Sequence, residues 1–493
     1  MRRLGAVPLG DGTVELCVWA PGARAVSVRS DEEVALERDG ECWIGKFRGD
    51  DYRVVVEEDA WPDPCSRWQP EGVKGPSRVL DTSAFEWSDA GWNGVPLDDL
   101  VIYELHVGTF SEEGTFDGVI RQLPGLRELG MTAIELMPVA TFPGNRGWGY
   151  DGLYTYAAHP AYGGPHGLAR LVDAAHAERL GVILDVVYNH VGPGDEALRA
   201  FGPYFTDRHE TFWGDALDYG QRGVREWAIQ NAEQWVRDFH VDGLRLDAVH
   251  AIFDDSALHV CAELKQRVGN ALVISEMEVG DWRPVDEWGH DAQWADRSHH
   301  ELHVLLTGER EGYYADYGSV ASLAEDLAGA GHDPRRSVIC AQNHDQVGNR
   351  ALGDRLPEDA LRVAAAVTLF SPCTPLLFMG EERFESAPFQ FFTDHIDPAI
   401  AEATRAGRKH EFAEFASFTG EEVPDPQALE TFLRSKLRPG EPDPLYRELL
   451  ALRRELPREL EAEVDEEAKT LRLRRGNVTL VADFDNRRVE FSR

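Results

Sequence analysis

A chain of 493 residues exceeds what a single hydrophobic core supports, so two or three domains are expected. A formal charge of −37 and a pI near 4.8 repel nucleic acid and anionic lipid, and no stretch approaches the roughly twenty apolar residues of a membrane span, so neither nucleic acid nor membrane is expected as a partner. Arg2 and Arg3 are followed by Asp11 and Glu15 rather than by an apolar run, which predicts no secretion signal and a cytoplasmic protein.

Residues 1–90 alternate polar and apolar positions in short runs, such as Val14-Glu-Leu-Cys-Val-Trp19 and Ala25-Val-Ser-Val-Arg29, broken at Asp11-Gly12, Pro21-Gly22 and Asp39-Gly40. Period-two alternation with turn residues at the breaks predicts a β-sandwich, the kind of small domain that binds carbohydrate in other proteins. Trp43, Trp61 and Trp68 are expected mainly in its core, with sugar stacking as the alternative.

From about residue 99 strands alternate with helices. Leu100-Val-Ile-Tyr-Glu-Leu-His106 and Ala133-Ile-Glu-Leu-Met137 come first, and residues 168–179 and 224–239 carry apolar side chains at helical spacing. Strands fall near 103, 135, 185, 245, 274, 294, 341 and 378. Eight strands, each followed by helical sequence and none by a glycine-rich phosphate loop, predict an α/β fold, a (β/α)8 TIM barrel with inserted loops over 91–440. The chain reads as charged and irregular from 395 to about 440. Residues 441–493 read as a helix over 445–456 and a short C-terminal β module, with so few strands that its sheet is expected to complete itself against the barrel.

Four segments end in charged or amide side chains: Asp185-Val-Val-Tyr-Asn-His190, Gly243-Leu-Arg-Leu-Asp247, Val273-Ile-Ser-Glu276 and Ile339-Cys-Ala-Gln-Asn-His-Asp345. An unpaired charge inside a doubly buried strand costs several kcal/mol, so acids at strand ends predict a shared wet site at the barrel mouth. Alternation turns Arg245 and Asp247 into the barrel, away from Leu244 and Leu246. A structural ion pair is the alternative, but one arginine does not neutralise three converging acids. Crowded carboxylates split their pKa values, leaving one ionised and one protonated, which is the division of labour that glycosidic cleavage needs. The loop Phe142-Pro-Gly-Asn-Arg-Gly-Trp-Gly-Tyr-Asp151 adds Trp148 and Tyr150 as flat faces, and His190 and His344, each preceded by asparagine, are expected to hold sugar hydroxyls. His299-His-Glu-Leu-His303 places two histidines four apart but lacks the H-E-x-x-H order and a third ligand, so no zinc site is expected there. The six cysteines form no C-x-x-C pair and are expected to be buried.

These four segments resemble the four conserved regions of the α-amylase family of glycoside hydrolases. The resemblance implies that Asp247 is the nucleophile, Glu276 the general acid/base, and Asp345 the residue that fixes the distorted sugar and stabilises its transition state. It implies that Arg245, His190 and His344 hold the sugar, that Tyr150 stacks beneath it, and that a retaining mechanism sets the Asp247 and Glu276 carboxyls about 5 to 5.5 Å apart. Glu278 is a second candidate acid, two residues further on and therefore in the loop.

Within that family, residues 299–318, 342–350 and 378–395 resemble its trehalose-releasing branch, and the likeness extends over the N-terminal sandwich. The resemblance implies hydrolysis of the α-1,4 bond next to the terminal trehalose of maltooligosyltrehalose, in a pathway with maltooligosyltrehalose synthase. It implies no cofactor and no required metal, although Asn189 stands where many α-amylases bind calcium. The C-terminal module is shorter than is usual in the family. The segment Phe389–His395, with Asp394, is expected to grip the trehalose unit. A glucan branching enzyme shares the sandwich, the Trp148 loop and all three acids and is the nearest alternative; a non-catalytic glucan-binding protein would usually have lost an acid.

Overall fold

Eight parallel strands close on themselves in chain order: β1 (Ile102–Leu105), β2 (Ala133–Leu136), β3 (Gly181–Val186), β4 (Gly243–Leu246), β5 (Leu272–Ser275), β6 (Ala292–Trp294), β7 (Ser337–Cys340) and β8 (Thr374–Phe378), with β8 pairing back to β1. This is a TIM barrel, described by a computed structural model over residues 1–412 and 423–493. The strands are buried on both faces, as their apolar, β-branched runs require. Inside the barrel Ile102, Ala133, Ile183, Ile274, Ala292, Val338 and Leu376 form an apolar plug. One pleat period further on, Glu104, Glu135, Asp185 and Arg245 form a charged layer above it. The helix Gly164–Ala177 buries Leu168, Leu171, Val172 and Ala175 against the outside of the barrel, and Arg222–Asp238 buries Trp227 and Trp235.

One strand end lies elsewhere than the sequence suggests. β7 stops at Cys340, and Asn343 caps a short helix, His344–Gly348, by accepting a hydrogen bond from the Gln346 amide at 2.8 Å. Asp345 therefore sits in the first turn of a helix rather than on a strand.

The N-terminal residues form two antiparallel sheets. One orders Gly5–Pro8, Val14–Trp19, Cys42–Phe47 and Glu37–Asp39; the other orders Glu33–Ala35, Val26–Arg29, Asp51–Val56 and Asp59–Trp61. Trp43 is core, its indole N–H donating to the Ala20 carbonyl at 3.1 Å, whereas Trp61 and Trp68 are half-buried. Trp19 meets Tyr204 of the barrel edge to face at 5.1 Å.

At the other end, the stretch expected to be irregular contains the helix Pro398–Phe412. Its sequence hides it because it buries little apolar surface and holds itself by charge, with Arg405 paired to Glu402 and Asp425. Residues 413–422 of that stretch lie outside the described residues. The helix Pro444–Glu455 is followed by a four-stranded antiparallel sheet, Glu461–Asp465, Thr470–Arg475, Val478–Asp483 and Arg488–Ser492. That sheet pairs only with itself and buries Leu471, Leu473, Leu480 and Ala482, so it rests on the barrel helices without extending the barrel sheet. All six cysteines are buried and free, and among the described residues no helix is long and apolar enough to cross a membrane.

Candidate active site

Arg245 organises the barrel mouth. Fully buried, its guanidinium lies 4.1 Å over the Trp294 ring, donates from Nη1 to Asp185 Oδ2 and Asp247 Oδ1, each at 2.8 Å, and from Nη2 to Glu276 Oε2 at 2.7 Å. The flat fork of an arginine matches two carboxylates at once, which a lysine would not. The second oxygen of Asp247 accepts the Asn189 side-chain N–H at 2.7 Å, and the same group donates to the Asp247 carbonyl at 2.8 Å.

Asp247 lies one residue past β4, and its successor Ala248 is left-handed, with φ 38° and ψ 53°. A non-glycine residue held there costs on the order of 1–3 kcal/mol. The strained turn aims the Ala248 N–H at Glu276 Oε2, 2.9 Å away. Glu276 Oε2 thus accepts two hydrogen bonds, leaving Oε1 as the oxygen that can carry a proton. Burial, followed by the repulsion of Asp247 and Asp345 working against Arg245, pushes the Glu276 carboxyl up to about 8. At neutral pH it is an acid with a proton to give.

A second chain of contacts runs through His344. Its Nδ1 faces Glu104 Oε1 at 2.5 Å and its backbone N–H donates to Glu104 Oε2 at 2.9 Å. Its Nε2 lies 2.8 Å from the Tyr150 hydroxyl, which donates in turn to Asp185 Oδ2 at 2.6 Å. Burial alone would depress the imidazole, but Asp345 and Glu104 on either side raise it well above the usual histidine range, so it carries a charge. Burial likewise works to raise Asp345, yet the charged His344, with Nε2 3.4 Å from Asp345 Oδ2, holds that carboxyl down to about 2. Burial pushes Asp185 and Asp296 up to about 6, and Glu135, buried beside Glu104, well above the carboxylate range. The mouth therefore presents a protonated Glu276 and an ionised Asp345 in one cleft.

Glu104→Gln is expected to lower kcat about tenfold, the loss of one charge-assisted hydrogen bond. It removes the anion behind His344, weakens the charge facing Asp345, and so moves the acid limb of kcat/KM to higher pH. A lowered rate with an unmoved acid limb would mean that Glu104 is merely structural.

Several expected sugar contacts have other duties. Trp148 is buried, stacked on Phe389 at 5.1 Å and edge-on to His344 at 5.7 Å, with its N–H on the Gln390 carbonyl. It is a wedge behind His344 rather than an open platform, because stacking two large rings removes more apolar surface than exposing one. His344 has both ring nitrogens engaged within the protein, Nδ1 by Glu104 and Nε2 by Tyr150. Asp394 accepts from Arg146 at 2.6 Å and from the Asn145 N–H at 2.8 Å, closing the loop after β2 onto the segment after β8. Gly144, at φ +76°, allows that closure, for a Cβ there would meet the Asp394 carbonyl at 2.2 Å. In the segment Phe389–His395, Phe389 and Phe392 are fully buried, whereas Phe391, Asp394 and His395 are half-buried. Trp61 and Trp68 lie outside the mouth, and Glu278 is exposed in the loop after β5.

His190 lies beside the Asn189 side-chain amide oxygen and stacks on Trp213 at 4.5 Å; burial lowers its pKa and favours the neutral ring. His299 and His303 bind the Ala341 carbonyl and Glu309 and pack on Tyr314, so they anchor the loop 309–318. No group of three His, Cys, Asp or Glu side chains among the described residues is placed to hold a metal ion.

Sequence reasoning missed Glu104, Glu135, Trp294, Asp296 and Trp213. Glu104 and Glu135 carried a usable signal: each interrupts an apolar strand in phase with its inward positions. Trp213 sits at the tip of the hairpin Phe205–Leu217, where no local pattern points to His190.

The family profile for the alpha amylase catalytic domain matches residues 76–204. The chain is 44% identical to malto-oligosyltrehalose trehalohydrolase of Deinococcus radiodurans over 92% of its own length and 83% of the relative's, and 41% identical to that of Saccharolobus solfataricus over 91% and 86%. It belongs to the malto-oligosyltrehalose trehalohydrolase family. A 1,4-alpha-glucan branching enzyme of Bacillus cereus is 33% identical, but over only 48% of this chain and 42% of that enzyme. The crystal structure of a Salmonella typhimurium protein assigned as an alpha amylase superposes with a TM-score of 0.88 at 36% identity, covering 98% of this chain and 93% of that one. The trehalohydrolase family places the chain among glycoside hydrolases of the α-amylase type, in agreement with the closed barrel and its cluster of acids.

Proposed function

We propose that this chain hydrolyses the α-1,4-glucosidic bond next to the terminal trehalose of maltooligosyltrehalose, with Asp247 as nucleophile, Glu276 as acid/base and Asp345 as the fixed negative charge. The observation that carries this chemistry is that Asp247 and Glu276 hang from adjacent nitrogens of one guanidinium. Two carboxyls held on one guanidinium stand near each other, the arrangement a retaining double displacement uses. Glu276 Oε1–H protonates the leaving trehalose oxygen while Asp247 attacks the anomeric carbon, giving a glucosyl ester and free trehalose. Glu276, now ionised, takes a proton from water, which displaces Asp247 and releases the maltooligosaccharide with its configuration retained. Asp345, ionised beside charged His344, stabilises the positive charge on the sugar ring during both steps.

The choice of bond rests on the family, whose relatives match over nearly the whole chain. The substrate's 1,1-linked end has to be supplied by an enzyme that rearranges the last bond of a maltooligosaccharide, the role of the synthase expected from the sequence. Incubation with maltotriosyltrehalose is expected to yield trehalose and maltotriose in equal amounts, read by chromatography. Branched or elongated glucans with no free trehalose would overturn this reading in favour of chain transfer.

A further inference from the structure

A cavity of about 270 Å³ opens between the N-terminal sandwich and the barrel mouth. Trp61, on the edge strand Asp59–Trp61, and Tyr154 give it aromatic walls; Lys74, Glu196 and Asp397 give it a polar rim. No described residue hydrogen-bonds the Tyr154 hydroxyl, although Tyr154 is 4% exposed. Elsewhere this domain boundary is tightly filled, with Trp19 buried against Tyr204 and so close to Gly223 that a Cβ there would stand 2.1 Å from the indole. A gap lined by two aromatic rings forfeits packing unless something fills it.

The cavity's position says what that is. Its barrel walls come from the segments after β2, β3 and β8, across the mouth from β5, which leads into Glu276. The leaving group lies beside Glu276, so the sugar chain that becomes attached to Asp247 must run the other way, toward these walls. One contact links the cavity wall to the loop that carries Tyr150: His395 in its lining has Nε2 3.7 Å from Asp151, the residue after Tyr150. Sugar rings stack on flat aromatic faces and offer hydroxyls all round, which fits two aromatic walls, a rim of both charges and an unused hydroxyl.

We infer that this cavity is a distal subsite for a glucosyl unit of the maltooligosyl arm, with Trp61 of the sandwich as its stacking face, so that the N-terminal domain reads the length of the chain being cleaved. The inference rests on the proposed direction of cleavage. Its test compares kcat/KM on maltosyltrehalose and maltopentaosyltrehalose for the wild type, Trp61→Ala, Trp61→Phe and Ala197→Trp, the last filling the cavity from the barrel side. Both Trp61→Ala and Ala197→Trp are expected to lower the long-arm to short-arm ratio roughly tenfold, and Trp61→Phe to restore most of it. A ratio unchanged in Ala197→Trp, or a kcat/KM that falls equally on both arms in every variant, would overturn the subsite. Failure of the wild type to release trehalose from either substrate would instead reject the proposed reaction itself.

Discussion

Asp247→Asn is expected to lower kcat by about five orders of magnitude while leaving affinity for maltooligosyltrehalose within roughly tenfold of the wild type. The amide is a poor nucleophile and cannot form the glucosyl ester, so the two-step path closes and only the electrostatic and positioning contributions of the cleft remain. The local geometry predicts one more effect. Asp247 accepts from Arg245 on one oxygen and from the Asn189 N–H on the other, so the asparagine can satisfy only one of them and turns an N–H toward a donor. A modest fall in thermal stability should accompany the loss of turnover. Binding measured by calorimetry separates the cases: intact affinity with lost turnover supports the nucleophile, whereas activity above a thousandth of wild type removes Asp247 from that role.

Glu276→Gln is expected to cost about 10²- to 10⁴-fold in kcat, the range of a lost general acid/base, and to abolish the basic limb of the pH profile. The sign follows from the raised pKa. Glu276 must hold its proton to protonate the leaving oxygen, so wild-type kcat/KM should decline as pH rises through about 8, and a glutamine, which does not titrate, should show no such decline. The same shift affects folding. The folded protein binds this proton more tightly than the unfolded chain, whose carboxyl sits near 4.5, so the stability contributed by Glu276 falls as pH rises from about 4.5 to about 8. At pH 9 the glutamine variant should therefore unfold at a higher temperature than the wild type relative to their order at pH 5. A basic limb that survives in the variant would assign the proton to another group.

How much of this was legible in the sequence varies from layer to layer. The eight strands stood out because a doubly buried parallel strand is a short apolar run with a charge at one end, and this pattern recurs on both Asp247 and Glu276. Asp345 was found by residue type while its setting was misjudged, since Asn343 looks the same in a strand as at a helix cap until Gln346 is seen beneath it. Trp148 and Asp394 were expected to meet sugar because sequence shows that a loop carries an aromatic or an acid, not that Phe389 or Arg146 packs against it. Glu104 and Glu135 were overlooked for the opposite reason: they lie inside apolar strands, where an acid reads as a defect, and only barrel closure shows them to be a layer. The pairing of Trp213 with His190 and the gap beside Trp61 depend on segments far apart in the chain, and no local pattern encodes either.

Arg245 gives one positive charge to Asp185, Asp247 and Glu276 together. The three acids are therefore not independent contributors. Removing any one of them takes a hydrogen-bond partner from the guanidinium and changes the proton affinity of the other two. Free energies obtained from single substitutions at this cleft will not sum to that of the combined substitution, and the size of the mismatch in a double-mutant cycle measures how strongly a shared cation couples its anions.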